Sequence, residues 1–108
     1  MVVMEAENEI ETNIEDGRGY IFLGNTFSNQ DIRHFRKAFE SLERKSIKEF
    51  FIDMRNVNQI DSSGVGTLVI CLKRTKEKGG KFKIMFPKED VKRILKLVNI
   101  YSYFDIIE

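Results

Sequence analysis

Apolar positions change their spacing several times along the chain. Ile32, Phe35, Phe39 and Leu42 recur every three or four residues, the period of a helix with one buried stripe. Ser28 followed three residues later by Asp31 has the form of a capping box, although aspartate is a weaker choice there than Glu or Gln. Together these predict a helix over 28–45. Arg33, Arg36, Lys37, Glu40, Glu43 and Arg44 fill its other side and read as a solvated face. Val65, Leu68, Val69 and Leu72 predict a second helix over 63–78. Gly79-Gly80 ends it, since glycine adopts the left-handed conformation of helix C-caps. Lys73, Arg74, Lys76 and Lys78 crowd its last turns, where the helix dipole favours cations. Val91, Ile94, Leu95 and Val98 mark a third helix, with Pro87 suited to its start.

The intervening stretches read as strands. Asn8–Ile14 alternates loosely and is expected as an edge strand. Asp16-Gly17-Arg18-Gly19 is a turn signal, and Tyr20–Leu23 completes a hairpin. Phe50–Met54 is nearly continuous in apolar character, as in a strand buried on both faces within a helix-covered parallel sheet. Asn56–Asp61 reads as a polar loop interrupted by Val57 and Ile60. Phe82, Ile84 and Phe86 alternate in a strand over 81–86, and Tyr101–Ile107 reads as a short strand or a last helical turn. The order β-β-α-β-α-β-α predicts one α/β domain over residues 1–108. It has a mostly parallel sheet of four to five strands, an N-terminal hairpin, and helices packed against the sheet.

Composition narrows the function classes. Apolar residues make up 42% of the 108 positions and include nine Phe, enough for one core. With 18 basic against 17 acidic residues the net charge is +1, which argues against broad nucleic-acid binding but leaves room for a local charged patch. The single cysteine, Cys71, cannot form an internal disulfide, which fits a reducing compartment. No apolar run approaches membrane-spanning length. The acidic start "MVVMEAENEIE" lacks the basic and apolar regions of a secretion signal. The expected location is the cytoplasm, with neither membrane nor nucleic acid as a direct partner.

The stretch that invites a chemical reading is "QIDSSGVGT", residues 59–67. It lies between the strand 50–54 and the helix 63–78, where an open α/β sheet usually has its ligand crevice. The unpaired N–H groups and dipole of the helix N-terminus would favour an anion there. Asp61 or Ser62 can serve as N-cap. Gly64 and Gly66 leave the first turn open to close approach, at roughly 1 kcal/mol each against helix stability. A capped helix with small residues for packing accounts for the same pattern. Sharper chemistry finds little support. A Walker loop needs a lysine where Thr67 stands, and the dinucleotide fingerprint needs a glycine where Val69 stands. A serine nucleophile needs a base, and His34 is the only histidine, on a charged helix. One His and one Cys at unrelated positions make no metal site, and Cys71 between Ile70 and Leu72 reads as a packed thiol. No catalytic residue, metal or cofactor is therefore expected.

The run "FFIDMRNVNQIDSSGVGTLVICLKRTKEKGGKFKIMF" resembles the STAS domain of bacterial anti-sigma factor antagonists. The matching features are the strand ending in Asp53, the Asp61-Ser62-Ser63-Gly64-Val65-Gly66 loop, the amphipathic helix, the Lys-x-Gly-Gly turn and the next strand. The ending "VKRILKLVNIYSYFDIIE" is similar to the last helix and closing strand of the family, so the likeness covers essentially the whole chain. The resemblance implies a binding protein rather than an enzyme. Its unmodified form would bind an anti-sigma factor that is also a serine kinase, freeing the sigma factor. Phosphorylation of Ser62 would release that partner, and a serine phosphatase would reset the switch. The implied docking surface is Asp61, Ser63, Gly64, Val65 and Gly66 with Asn25 and Phe27, although Phe27 could instead be core or a staple on the helix after it. The chain departs from the family pattern in lacking an acidic residue after Gly24 and in carrying Gln59 where an apolar residue is common. A STAS module of a larger signalling or lipid-transport assembly, with Ser62 merely an N-cap, is the alternative.

Overall fold

A computed structural model of the chain describes residues 10–108. Asn8 and Glu9 of the expected edge strand, and the stretch read as lacking a secretion signal up to residue 9, lie outside them. Asp16 and Gly17 take positive φ, 52° and 76°, and turn the chain between β1 (Glu11–Glu15) and β2 (Arg18–Phe22). The two strands pair antiparallel, Thr12 opposite Ile21. After a two-residue β3 (Thr26–Phe27) come α1 (Ile32–Arg44), β4 (Glu49–Asp53) and a two-residue β5 (Gln59–Ile60). Then follow α2 (Ser62–Glu77), β6 (Lys81–Met85), α3 (Glu89–Leu97), one turn of 3-10 helix at Tyr101–Tyr103, and β7 (Asp105–Ile107). The tail therefore holds both a helical turn and a strand. Gly79, with φ 76°, closes α2 as its position after the periodic stretch predicts.

The main sheet has the order β1-β2-β4-β6-β7, and every pair after the hairpin is parallel. Each parallel strand is thus added on the same side of the one before. Right-handed crossovers that always step in one direction leave all their helices on one face. The core bears this out. Phe35, Phe39 and Leu42 of α1, Leu68 and Leu72 of α2, and Val91 and Leu95 of α3 join Ile21, Phe50, Ile52, Phe82 and Ile84 in a single cluster. Phe39 lies 4.5 Å, ring centre to ring centre, from Phe50. Arg74 of α2 meets Glu43 of α1 at 2.9 Å.

Two expectations change here. β4 is not buried on both faces: Phe50 and Ile52 are buried, but Phe51 is half-buried and outside the core cluster. Its apolar character reflects a cross-strand stack with Tyr20, 4.9 Å between ring centres, on the face away from the helices. The one-directional strand order also gives the parallel strands no point of reversal, and hence no switch-point crevice.

Phe27, expected at a docking surface, is core. Its side chain is fully buried and its ring meets Phe35 edge-on at 4.9 Å. β3 turns it inward beneath α1, so no partner can touch it. Phe27→Ala should cost about 3–5 kcal/mol of stability in urea denaturation, with the affinity of the remaining folded protein for a partner unchanged. Phe51→Ala, on the face without described helices, should cost markedly less.

Candidate functional site

The pattern-based reading places the 56–61 stretch in a loop, but its last residues form a strand. β5 pairs in parallel with β3, Thr26 opposite Gln59 and Phe27 opposite Ile60. Two distant segments are thereby fixed side by side ahead of α2. Asn58 N–H donates to the Asn25 carbonyl at 2.8 Å, and the two side chains also bond. Two-residue strands carry no periodicity, so Val57 and Ile60, both buried, were the only signal of them.

Buried carboxylates hold the approaches. Asp31, 4% exposed, accepts from Ser28 N–H at 2.9 Å and from the Thr26 hydroxyl at 2.8 Å. This is the reach-back half of the predicted capping box, and it ties β3 to the start of α1. Asp53, 2% exposed at the end of β4, accepts from Arg55 N–H at 3.0 Å and binds the Arg55 guanidinium, with Nη2 at 2.8 Å. That guanidinium also lies 4.6 Å from the Phe86 ring centre. The clamp sets the direction in which the chain leaves β4 toward β5. Sequence reasoning matched Asp53 as a strand end but missed Arg55, whose role needs the side chain to fold back.

Asp61 is the N-cap of α2, in extended backbone at φ −111° and ψ −177°. Its Oδ1 accepts from Gly64 N–H at 2.9 Å, and its Oδ2 accepts from Asn29 N–H at 3.0 Å. One carboxylate thus joins the starts of two helical segments 32 residues apart. These backbone donors, Gly64 first and Asn29 next, hold its pKa below the usual aspartate value. Ser62 follows as the first residue of α2, exposed and outside the cap. Of the two candidate caps, Asp61 and Ser62, the structure uses Asp61. The half-buried Ser63 accepts the Thr67 hydroxyl at its carbonyl, 2.8 Å.

The two glycines do different work. A Cβ on Gly64 would lie 2.2 Å from the Phe27 carbonyl oxygen, so this buried residue is small because β3 packs against it. Gly64 therefore offers a partner no open backbone, contrary to expectation. A Cβ on Gly66 would meet nothing within 4 Å. Gly66 alone keeps the helix surface low and open. Val65 is half-buried against the core, while Asn25 is exposed beside the 58–59 segment. An open groove of about 530 Å³ runs from Ser28 and residues 58–61 to Asp90 and Arg93 of α3. Cys71 is 4% exposed and burial pushes its thiol up to about 12, which suits packing rather than reactivity. His34 is half-buried on α1. No helix among the described residues is long and apolar enough to cross a membrane.

A family model described as the STAS domain matches residues 9–108. A Thermotoga maritima protein named "Putative anti-sigma factor antagonist" is 33% identical over 82 residues, which cover 74% of this chain and 73% of that one. The crystal structure of tm1081 from the same organism superposes with a TM-score of 0.85 at 25% identity, over 92% of this chain and 86% of that one. The anti-sigma factor antagonist SpoIIAA of Bacillus has the same fold. Its unphosphorylated form gives a TM-score of 0.78 at 12% identity, over 92% of this chain and 88% of that one. Its phosphorylated form gives 0.72 at 11%, over 92% and 91%.

The Asp61 cap carries a pH signature. A carboxylate whose folded pKa lies below its unfolded value of about 3.9 stabilises the fold above that value. The contribution is lost as pH falls through the lower, folded pKa. Asp61→Ala should therefore melt several degrees below wild type at pH 7, with the gap closing below about pH 4. Thermal melts from pH 7 to pH 3 check it, and a gap constant with pH would contradict the cap's charge dependence.

Proposed function

The chain belongs to the STAS domain family, and on that premise we propose that it is an anti-sigma factor antagonist switched by phosphorylation of Ser62. Unmodified, it binds an anti-sigma factor with serine kinase activity and so frees a sigma factor. Phosphate on Ser62 ends the binding, and a serine phosphatase restores it. The observation that carries this reading is the division of labour at the start of α2. Asp61 holds the cap, so the exposed Ser62 hydroxyl can be modified without loss of a structural bond. That same division weighs against the alternative in which Ser62 serves only as N-cap. The existence of SpoIIAA, an antagonist of the same fold, in a phosphorylated form lends further support.

The energetics favour release over unfolding. A phosphate adds about −1.5 to −2 charges at pH 7, which carries the chain from +1 to slightly negative. It would sit at the positive end of α2, worth ~0.3–1 kcal/mol at an exposed site. The neighbouring Asp61 repels it, with solvent screening the repulsion. Within the fold these effects nearly cancel. At an interface over Gly66, Ser63 and the rim of the groove, a hydrated dianion must be desolvated or displaced. A penalty of ~3 kcal/mol there weakens binding more than a hundredfold.

The test uses wild type, Ser62→Ala and Ser62→Asp as baits in lysate of the native cell, with mass spectrometry of what is retained. Wild type and Ser62→Ala should retain an anti-sigma factor of the serine kinase class. Ser62→Asp should lose it while melting within a few degrees of wild type. Incubation of the wild type with that partner and ATP should place phosphate on Ser62. Phosphate mainly on Ser63, or equal retention by all three baits, would sink the switch.

A further inference from the structure

The face of the sheet that carries no described helix has its own composition. The pairing register places Arg18, Tyr20 and Phe22 of β2 beside Glu49, Phe51 and Asp53 of β4, and these beside Lys81, Lys83 and Met85 of β6. β1 adds Glu11, Asn13 and Glu15 at the edge. Tyr20, Phe22 and Phe51 are half-buried and stand outside the core cluster, while Met85 is buried. The rings form a ladder: Phe22 lies 6.4 Å from Tyr20, Tyr20 lies 4.9 Å from Phe51, and the Lys83 ammonium lies 5.9 Å from the Phe51 ring centre. A parallel sheet normally has both faces covered. Among the described residues this one leaves an aromatic stripe without such cover, because its one-directional topology puts the described helices on the other side.

The chemistry of the face selects its occupant. A nucleic-acid strand would stack bases on free ring faces. Here the Tyr20 and Phe51 rings lie face to face against each other, with interplanar angle 17°, so ring edges rather than ring faces are on offer. The charges point to a second copy. Glu15, Arg18, Glu49 and Lys81 stand level across four strands, alternating negative, positive, negative, positive. None of the four takes part in an ion pair among the described residues.

We propose that this face is a self-association surface, closed by a two-fold axis parallel to the strands and passing between β2 and β4. That axis lays β2 of one copy over β4 of its partner and β1 over β6. The alternating row then folds onto itself, Glu15 against Lys81 and Arg18 against Glu49, each pair occurring twice as an isologous interface requires. Tyr20 meets Phe51 in the level above, in the middle of the contact. The ~30° angle of aligned sheet packing keeps these levels in register near the axis. Four strands at ~4.8 Å spacing and five residues at ~3.3 Å give an overlap of order 300 Å² per copy. That is less than half of the ~800 Å² per partner of a standard interface. The dimer is accordingly weak and reversible. The surface lies away from Ser62, and its test is independent of the phosphorylation reading.

Sedimentation velocity on the full chain from ~1 to ~500 µM tests it. The wild type should pass from monomer to dimer across that range. Glu15→Lys alone and Lys81→Glu alone should each weaken dimerisation at least ~tenfold, since each places like charges opposite one another twice. Both positions are exposed, so the melting temperature should stay near that of wild type. An equimolar mixture of the two variants should regain wild-type association, because every facing pair is again of opposite sign. A monomer at all concentrations, a dimer indifferent to both reversals, or a mixture no tighter than either variant alone would overturn the proposal.

Discussion

The site depends on one carboxylate. Asp61 spends Oδ1 on the first turn of α2 and Oδ2 on the backbone that leads into α1. Both donors are groups that a helix start leaves without an internal partner. A carboxylate gives each donor its own charged oxygen, where a neutral amide would offer one acceptor atom for both. With the two ends tied, Phe27 can close against Gly64 beneath the loop, and Ser62 is held exposed at the rim. Asp31 and Asp53 act in the same way one layer back, each collecting backbone and side-chain donors from a segment that must bend.

Topology divides the molecule into surfaces with separate uses. Strands added in one direction put all three helices on one side. The loops at the C-terminal ends of the parallel strands therefore make a rim rather than a crevice. A rim with an exposed hydroxyl, a bare glycine and a shallow groove suits a protein partner better than a small molecule. The opposite face keeps aromatic side chains that a covered sheet would have buried.

The proposed phospho-switch is compatible with the fold because the residues of the two barely overlap. Removing Asp61 or Phe27 would disturb how the chain is held together, whereas Ser62 and Gly66 contribute little to that. A modification confined to Ser62 would act on what approaches the surface and leave intact the bonds that shape it. Under the proposed switch, this separation would let a charge change of about two units be read by a partner instead of by the folding equilibrium.

Periodicity along the chain determined the three helices, the hairpin and the order of the main strands. Residues such as Phe35, Phe39, Leu68 and Leu72 repeat often enough to declare a face, and Gly79 marked where α2 stops. The DSSGVG stretch could likewise be singled out, since a helix start tolerates few residue types and this one combines several. What the pattern could not supply was which side of each element has company. Phe51 reads as core by its neighbours, yet lies half-buried because strand order left its face without a described helix. Phe27 reads either as docking surface or as core, and the pairing of β3 with β5 over two residues, too few to leave a period, makes it core. Gly64 and Gly66 look equivalent in the sequence. Only the approach of the Phe27 carbonyl makes one a packing requirement and the other an opening. Local spacing is set by neighbours within a few residues. Burial is set by segments 30 residues away, and their meeting is decided by the tertiary structure alone.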